Sequence, residues 1–174
     1  MNLLISLRSE MLKTRRTASF YLTLITAAII PFIFLLDVCS DGVEPKNRND
    51  MFNKMFQEGF SMTAFVIFPM LIVLLCTLLP QIEYKNNAWK QVFASPQTKR
   101  NIFIAKLLNI HLLLLVFLIA NTLFMFIAAL VIHFVVPSLH LLTLPLDGGV
   151  IVTKIVNTYI SLLAVAALQF WLGL

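Results

Sequence analysis

Two cysteines, three histidines and eight carboxylates are the side chains from which catalytic or metal chemistry would most readily be drawn in this sequence of 174 residues. Cys39 falls in a polar stretch and Cys76 inside an apolar run. A disulfide needs Cα atoms within about 7 Å, so the pair reads as two free thiols. His111 and His133 lie toward opposite ends of one apolar run, too far apart to share a ligand. There is no H-E-x-x-H, no convincing pairing of a nucleophile with a base and no cluster of carboxylates at a membrane interface, so no catalytic and no metal-binding residue is assigned. Nor is there a G-x-x-x-x-G-K-[ST] loop, and the five glycines are scattered, so no nucleotide is expected on this chain. The chemistry left to it is recognition.

The elements that would position such recognition are long and apolar. Hydrophobic residues make up 60% of the chain and charged ones 12%, against about 25% charged in an ordinary soluble domain. Four stretches lack Asp, Glu, Lys and Arg: residues 17–36, 61–80, 107–136 and 155–174. About 20 helical residues cross the hydrocarbon core of a bilayer. The third stretch is longer than that and must tilt or protrude. The strands of a membrane barrel would alternate in polarity instead. The expected fold is therefore all-α, a polytopic helix bundle with four spans forming one transmembrane domain over residues 1–174.

The charges between the spans set orientation. Residues 1–16 hold Arg8, Lys13, Arg15 and Arg16 against Glu10, and residues 81–106 hold Lys85, Lys90, Lys99, Arg100 and Lys106 against Glu83. Residues 37–60 hold Lys46, Arg48 and Lys54 against five carboxylates, and residues 137–154 hold Lys154 and Asp147. Lys and Arg near span ends favour the cytoplasm. The amino terminus and residues 81–106 are predicted inside, and the loops 37–60 and 137–154 outside. The net charge of +5 is thus spread between apolar runs rather than gathered in a stripe, which speaks against nucleic acid as a partner.

Within this layout, Leu3, Leu4, Leu7 and Met11 form one apolar face over residues 2–13, while Asn2, Ser6, Ser9, Lys13 and Arg16 gather opposite. Such a helix lies in the membrane interface with its basic face toward lipid headgroups. It serves either as a topogenic anchor or as a functional element. In residues 81–106, Trp89, Val92 and Phe93 share a helical face before Ser95-Pro96 breaks the helix and starts the next. An isolated helix this short is marginal in water, so it must dock on the membrane surface, on the bundle or on a partner. Glu83 would pair with a basic partner residue or with Lys85 or Lys90. Phe52, Met55, Phe56, Gly59 and Phe60 recur at helical spacing, predicting a helix that leads into the second span, rests on the outer leaflet or meets substrate. Pro31 and Pro69 are kink candidates. Asn121 and Thr122, midway along the third run, would hydrogen-bond neighbouring helices or contact substrate. Asp147-Gly148-Gly149 is a turn signal.

An interfacial basic helix, a first span, an acidic outer loop and a second span running into Gln81-Ile82-Glu83 resemble the membrane subunit of type-two ABC exporters. Trp89-Lys90-Gln91-Val92-Phe93-Ala94-Ser95-Pro96, followed by Lys99-Arg100 and Ala105-Lys106, extends the likeness, which is strongest to the permeases of bacitracin and lantibiotic resistance. It covers the whole chain as a layout with a degenerate loop pattern. The resemblance implies an elbow helix at Leu3, Leu4, Leu7, Met11 and Lys13. It also implies ATPase docking through Glu83, Trp89, Lys90, Val92 and Phe93 in a cytoplasmic coupling loop. No cofactor would bind this chain; ATP and magnesium would sit on a separate ATPase subunit. A second permease copy, or a related chain, would complete a pathway in the bacterial cytoplasmic membrane. Such permeases usually have six spans, so a sequence with four that ends in an uncharged run at Leu174 is expected to be a carboxy-terminally truncated fragment.

Two other classes compete with this reading. An ion-coupled carrier or channel usually places ionisable residues within the membrane, and the four runs contain no Asp, Glu, Lys or Arg. A non-transporting multi-pass scaffold would need nothing beyond the topology.

Overall fold

The structure, a computed structural model, describes residues 3–15, 17–41, 51–85, 98–136 and 147–173. Nearly all of them are helical, and none is in a strand. Helix α1 spans Leu3–Arg15 and α2 Ala18–Asp41. Helix α3, Met51–Met62, runs through a π-helical turn, Thr63–Ile67, into α4, Phe68–Lys85. Helix α5 covers Lys99–Val135 and α6 Gly148–Gly173. Four helical stretches are long and apolar enough to cross a membrane: Ala18–Ser40, Asn53–Gln81, Lys99–Val135 and Ile151–Leu172.

The helices outrun the uncharged stretches. Helix α2 continues to Asp41, and the helix leading into the second span begins at Met51, so both margins of the region read as the first outer loop are helical. Charge marks where a chain leaves hydrocarbon; it does not break a backbone hydrogen-bond ladder. At 1.5 Å per residue the 37 residues of α5 extend about 55 Å, well beyond a hydrocarbon core of about 30 Å. Its first turns are accounted for by α1, which packs alongside them. Helix α5 is the hub, with α2 along most of its length, while α6 packs mainly against α4.

Small residues let these helices approach: Ala27 on α2, Ala105, Ala120, Ala128 and Ala129 on α5, and Ala166 on α6 are all buried. Two cores result. One, toward the α1 end, gathers Phe68, Leu71, Ile72 and Leu75 of α4 against Leu113, Phe117 and Leu118 of α5, with the Phe68 and Phe117 rings stacked 5.4 Å apart. The other, at the opposite end, packs Met55, Phe56 and Phe60 of α3 against Met125, Ala128, Ala129 and Ile132. Phe56 sits 4.9 Å from Phe126, centroid to centroid. Met55, Phe56 and Phe60 of α3 are therefore core, and their helix is the entry to the second span. The outward faces are apolar too: Tyr21, Ile25, Phe32 and Leu36 on α2 and Ile119, Leu123, Ile127 and Phe134 on α5 are exposed. Soluble monomers rarely show apolar patches of this extent; lipid tails are their natural solvent.

Gly59 marks a close approach at this far end. A Cβ there would lie 2.5 Å from Met125 Cε and 3.3 Å from both Met125 Sδ and Phe34 Cε2. Gly59→Val is expected to destabilise the bundle by about 1–3 kcal/mol, the usual cost of overpacking. Met125→Ala should restore part of that loss. Thermal unfolding of the two single variants and the double variant in detergent measures this, and an uncoupled sum would place the cost elsewhere.

Prolines shape the spans. Pro31 lies inside α2, and Pro69 and Pro80 inside α4. A proline removes the bond to the carbonyl four residues earlier and clashes with it. The π-helical turn stands immediately before Pro69, where the Phe68 N–H reaches back five residues to the Thr63 carbonyl. Widening at that point relieves the crowding of the proline ring against the Phe65 carbonyl.

Candidate functional site

Helix α1 turns sharply into α2: the Thr17 N–H donates to the Thr14 carbonyl at 3.0 Å and the Thr17 hydroxyl donates to the same oxygen at 2.7 Å. That corner lays α1 against the first turns of α5. The surface that meets α5 is the row Ser6, Glu10 and Thr14, at i, i+4 and i+8, flanked by half-buried Leu3 and Leu7. Asn109 Nδ2 donates to Thr14 Oγ1 at 2.6 Å, and Thr14 Oγ1 donates in turn to the Glu10 carbonyl at 2.8 Å. Glu10 holds Lys13 at 2.7 Å, and Lys106 of α5 lies 3.8 Å away at the outer limit of an ion pair. All of this carries the polar side of α1 inward. Leu4, Ile5, Met11 and Leu12 face outward, while Arg8, Lys13 and Arg15 are exposed.

The elbow residues are thus divided: Leu3 and Leu7 help seat the helix, while Leu4, Met11 and Lys13 lie on its open side. The sequence gives Ser6 to a face for lipid headgroups; the structure buries it against α5. A polar row on α1 can be satisfied by Asn109 and Lys106 at least as well as by water, and only a neighbouring helix reveals that.

Helix α4 ends at Lys85 and α5 begins at Lys99, and both of these ends lie toward α1. Glu83 is in the last turn of α4, with its side chain outside what the structure describes; Trp89, Lys90, Val92 and Phe93 lie outside the described residues. The connection between these ends is joined directly to both α4 and α5. Helix α5 in turn is tied to α1 by the Thr14–Asn109 bond and packs along α2.

Deeper in the bundle, Asn121 Nδ2 donates to the Ala27 carbonyl at 2.9 Å. This carbonyl is the one that Pro31, four residues on, leaves without a helical N–H. The kink candidate and the mid-span amide of the sequence are two ends of one interaction. A lone proline and a lone amide in separate helices carry no signal that they meet. Thr122 donates to the Leu118 carbonyl of its own helix at 2.8 Å and bridges nothing. His111 Nδ1 lies 3.2 Å from the Tyr159 hydroxyl, tying α5 to α6. Cys39 is exposed and Cys76 buried, both as free thiols.

The arrangement is a mechanical one: a helical bundle with a bolted elbow and, among the described residues, no cluster of metal-ligating side chains. Residues 6–174 match the family described as ABC-2 family transporter protein. The chain belongs to that family. Neither the curated proteins nor the solved structures offer a significant match. As an ABC-2 protein with four membrane-spanning helices, it is a multi-pass membrane permease of an ABC transporter. Such a permease works in a bilayer with an ABC ATPase, which hydrolyses ATP on a separate subunit.

Proposed function

We propose that this ABC-2 permease exports amphipathic molecules, peptide antibiotics among them, across the bacterial cytoplasmic membrane. The amino terminus and residues 81–106 face the cytoplasm. The ATPase docks through Glu83, Trp89, Lys90, Val92 and Phe93 and carries the ATP and magnesium. Two permease copies, or this chain and a related one, form the pathway, with Asn121 securing the α2–α5 seam beside it. The observation that supports this reading is the junction of α1 with α5: the helix entered from the basic loop is fastened to the elbow by Asn109–Thr14 and to α2 along its length. ATPase movement would thereby be delivered to a rigid unit rather than to a single helix.

The native cysteines offer a direct test. Cys39 is exposed at the end of α2 far from α1, while Cys76 is buried in α4. In intact cells expressing the permease with its ATPase, a membrane-impermeant maleimide is expected to label Cys39 and to leave Cys76 unlabelled until the membrane is dissolved and the protein unfolded. In proteoliposomes the same complex should hydrolyse ATP faster when an amphipathic peptide is added. Labelling of Cys39 only after lysis would reverse the orientation, and ATP hydrolysis indifferent to amphipathic peptides would remove the proposed cargo.

A further inference from the structure

Helix α6 carries a row of polar side chains along one side of a cavity. In α2, α3, α4 and α5 the hydroxyls of Thr23, Thr26, Ser61, Thr77 and Thr122 each donate to the carbonyl four residues earlier. This is the usual way to hide a hydroxyl in hydrocarbon. On α6 the hydroxyls of Thr153, Thr158 and Ser161 and the amide of Asn157 make no hydrogen bond among the described residues. Together with Lys154 they line one side of a cavity of about 580 Å³ between α6 and the helix of α3 and the π turn. That volume lies within the range of about 300–1,000 Å³ usual for small-molecule sites. Phe60, Ala64 and Leu162 form its apolar walls.

The cavity carries one charge of each sign, held apart. Asp147 lines it too, but its Oδ1 accepts the Gly149 N–H at 2.9 Å and so caps the start of its own helix. Lys154, half-buried, has no anionic partner among the described residues. Thr158 is only 7% exposed and equally unpartnered. Thr153, Asn157 and Ser161 are exposed along the cavity rather than sealed inside the bundle; a cation and polar groups open to hydrocarbon are costly, and a ligand carrying several acceptor oxygens would answer them. Lys154 stands about 9 Å along α6 from Gly148 and Ser161 about 20 Å, at 1.5 Å per residue. The polar row thus begins near the membrane surface and fades into apolar wall toward the middle of the bilayer.

We propose that this cavity binds one phosphate-headed lipid from the leaflet at the end of the bundle opposite α1. Lys154 takes the phosphate, Thr153 and Asn157 hydrogen-bond the headgroup, Thr158 and Ser161 bond the ester oxygens below it, and one acyl chain lies along Ala64 and Leu162. The site is independent of the proposed cargo and of the sidedness of the chain.

The test uses the complete permease with its ATPase, extracted from nanodiscs of equal phosphatidylglycerol and phosphatidylcholine, with retained lipids counted by native mass spectrometry. One phosphatidylglycerol per permease chain is expected to survive extraction. Retention should fall about tenfold in Lys154→Ala and be preserved in Lys154→Arg. Ala64→Trp, which fills the apolar wall and spares every polar group, should also expel the lipid. Equal retention of the two lipids, or wild-type retention in both Lys154→Ala and Ala64→Trp, would overturn the assignment. Displacement by inorganic phosphate alone would overturn it as well, since the headgroup would then bind without its chains. Should Thr153→Cys resist lipid-phase alkylation in protein that retains no phosphatidylglycerol, a protein helix covers the cavity and the lipid site does not exist.

Discussion

Trp89→Asp is expected to strip the ATPase from the purified permease while leaving the permease inserted in the membrane. Aromatic anchors at the centre of an interface contribute about 2–4 kcal/mol, which is a loss of roughly 30- to 1,000-fold in affinity. A carboxylate in place of the indole adds the cost of desolvating a charge against an apolar groove. The effect should be confined to assembly, because α4 and α5 are held by the Phe68–Phe117 core and by the α1 junction. Co-purification from membranes measures it: ATPase stoichiometry should collapse while permease yield stays level. ATPase recovered at wild-type stoichiometry would end the docking proposal.

The second large effect lies inside the bundle. Asn121→Leu takes from the Ala27 carbonyl the Asn121 amide donor, which Pro31 cannot replace because it has no N–H. An unpaired buried carbonyl costs about 1–3 kcal/mol, while interhelical hydrogen bonds measured in membranes average near 0.6 and reach about 1.7 kcal/mol. A loss of about 1–2 kcal/mol is the expected result. Pro31→Ala returns an N–H at position 31, which can bond the Ala27 carbonyl within α2. In that background Asn121→Leu should cost almost nothing, or even stabilise, since Asn121 Oδ1 has no partner to lose. Reversible unfolding of the four proteins of this cycle in bilayer-like micelles reads the coupling directly. Equal costs in both backgrounds would mean that proline and amide act separately.

The sequence made the class legible through quantities that need no partner helix. Four uncharged runs long enough for hydrocarbon correspond to the four helices long and apolar enough to cross a membrane. The distribution of Lys and Arg assigned sides, which the Cys39 labelling examines. The docking residues around Trp89 remain a reading of the sequence alone, since they fall outside the described residues.

Pairings were another matter. Pro31 was legible as a kink and Asn121 as a buried amide, yet their meeting depends on the register of α2 against α5. Register is set by how Ala27 and Ala120 let two backbones approach, a property of two surfaces together. Helix α1 was legible as amphipathic, but the direction of its polar row was not: Ser6, Glu10 and Thr14 would suit headgroups equally well, and Asn109 and Lys106 decide otherwise. The polar row of α6 runs through a helix apolar enough to count as a span. Its unpaired state appears only when every neighbour is in place. Composition along the chain thus determined that this protein belongs in a membrane and where its long apolar helices lie. Which polar groups find one another there is decided by helix contacts, because in hydrocarbon a donor has no water to fall back on and must take its partner from whatever helix lies beside it.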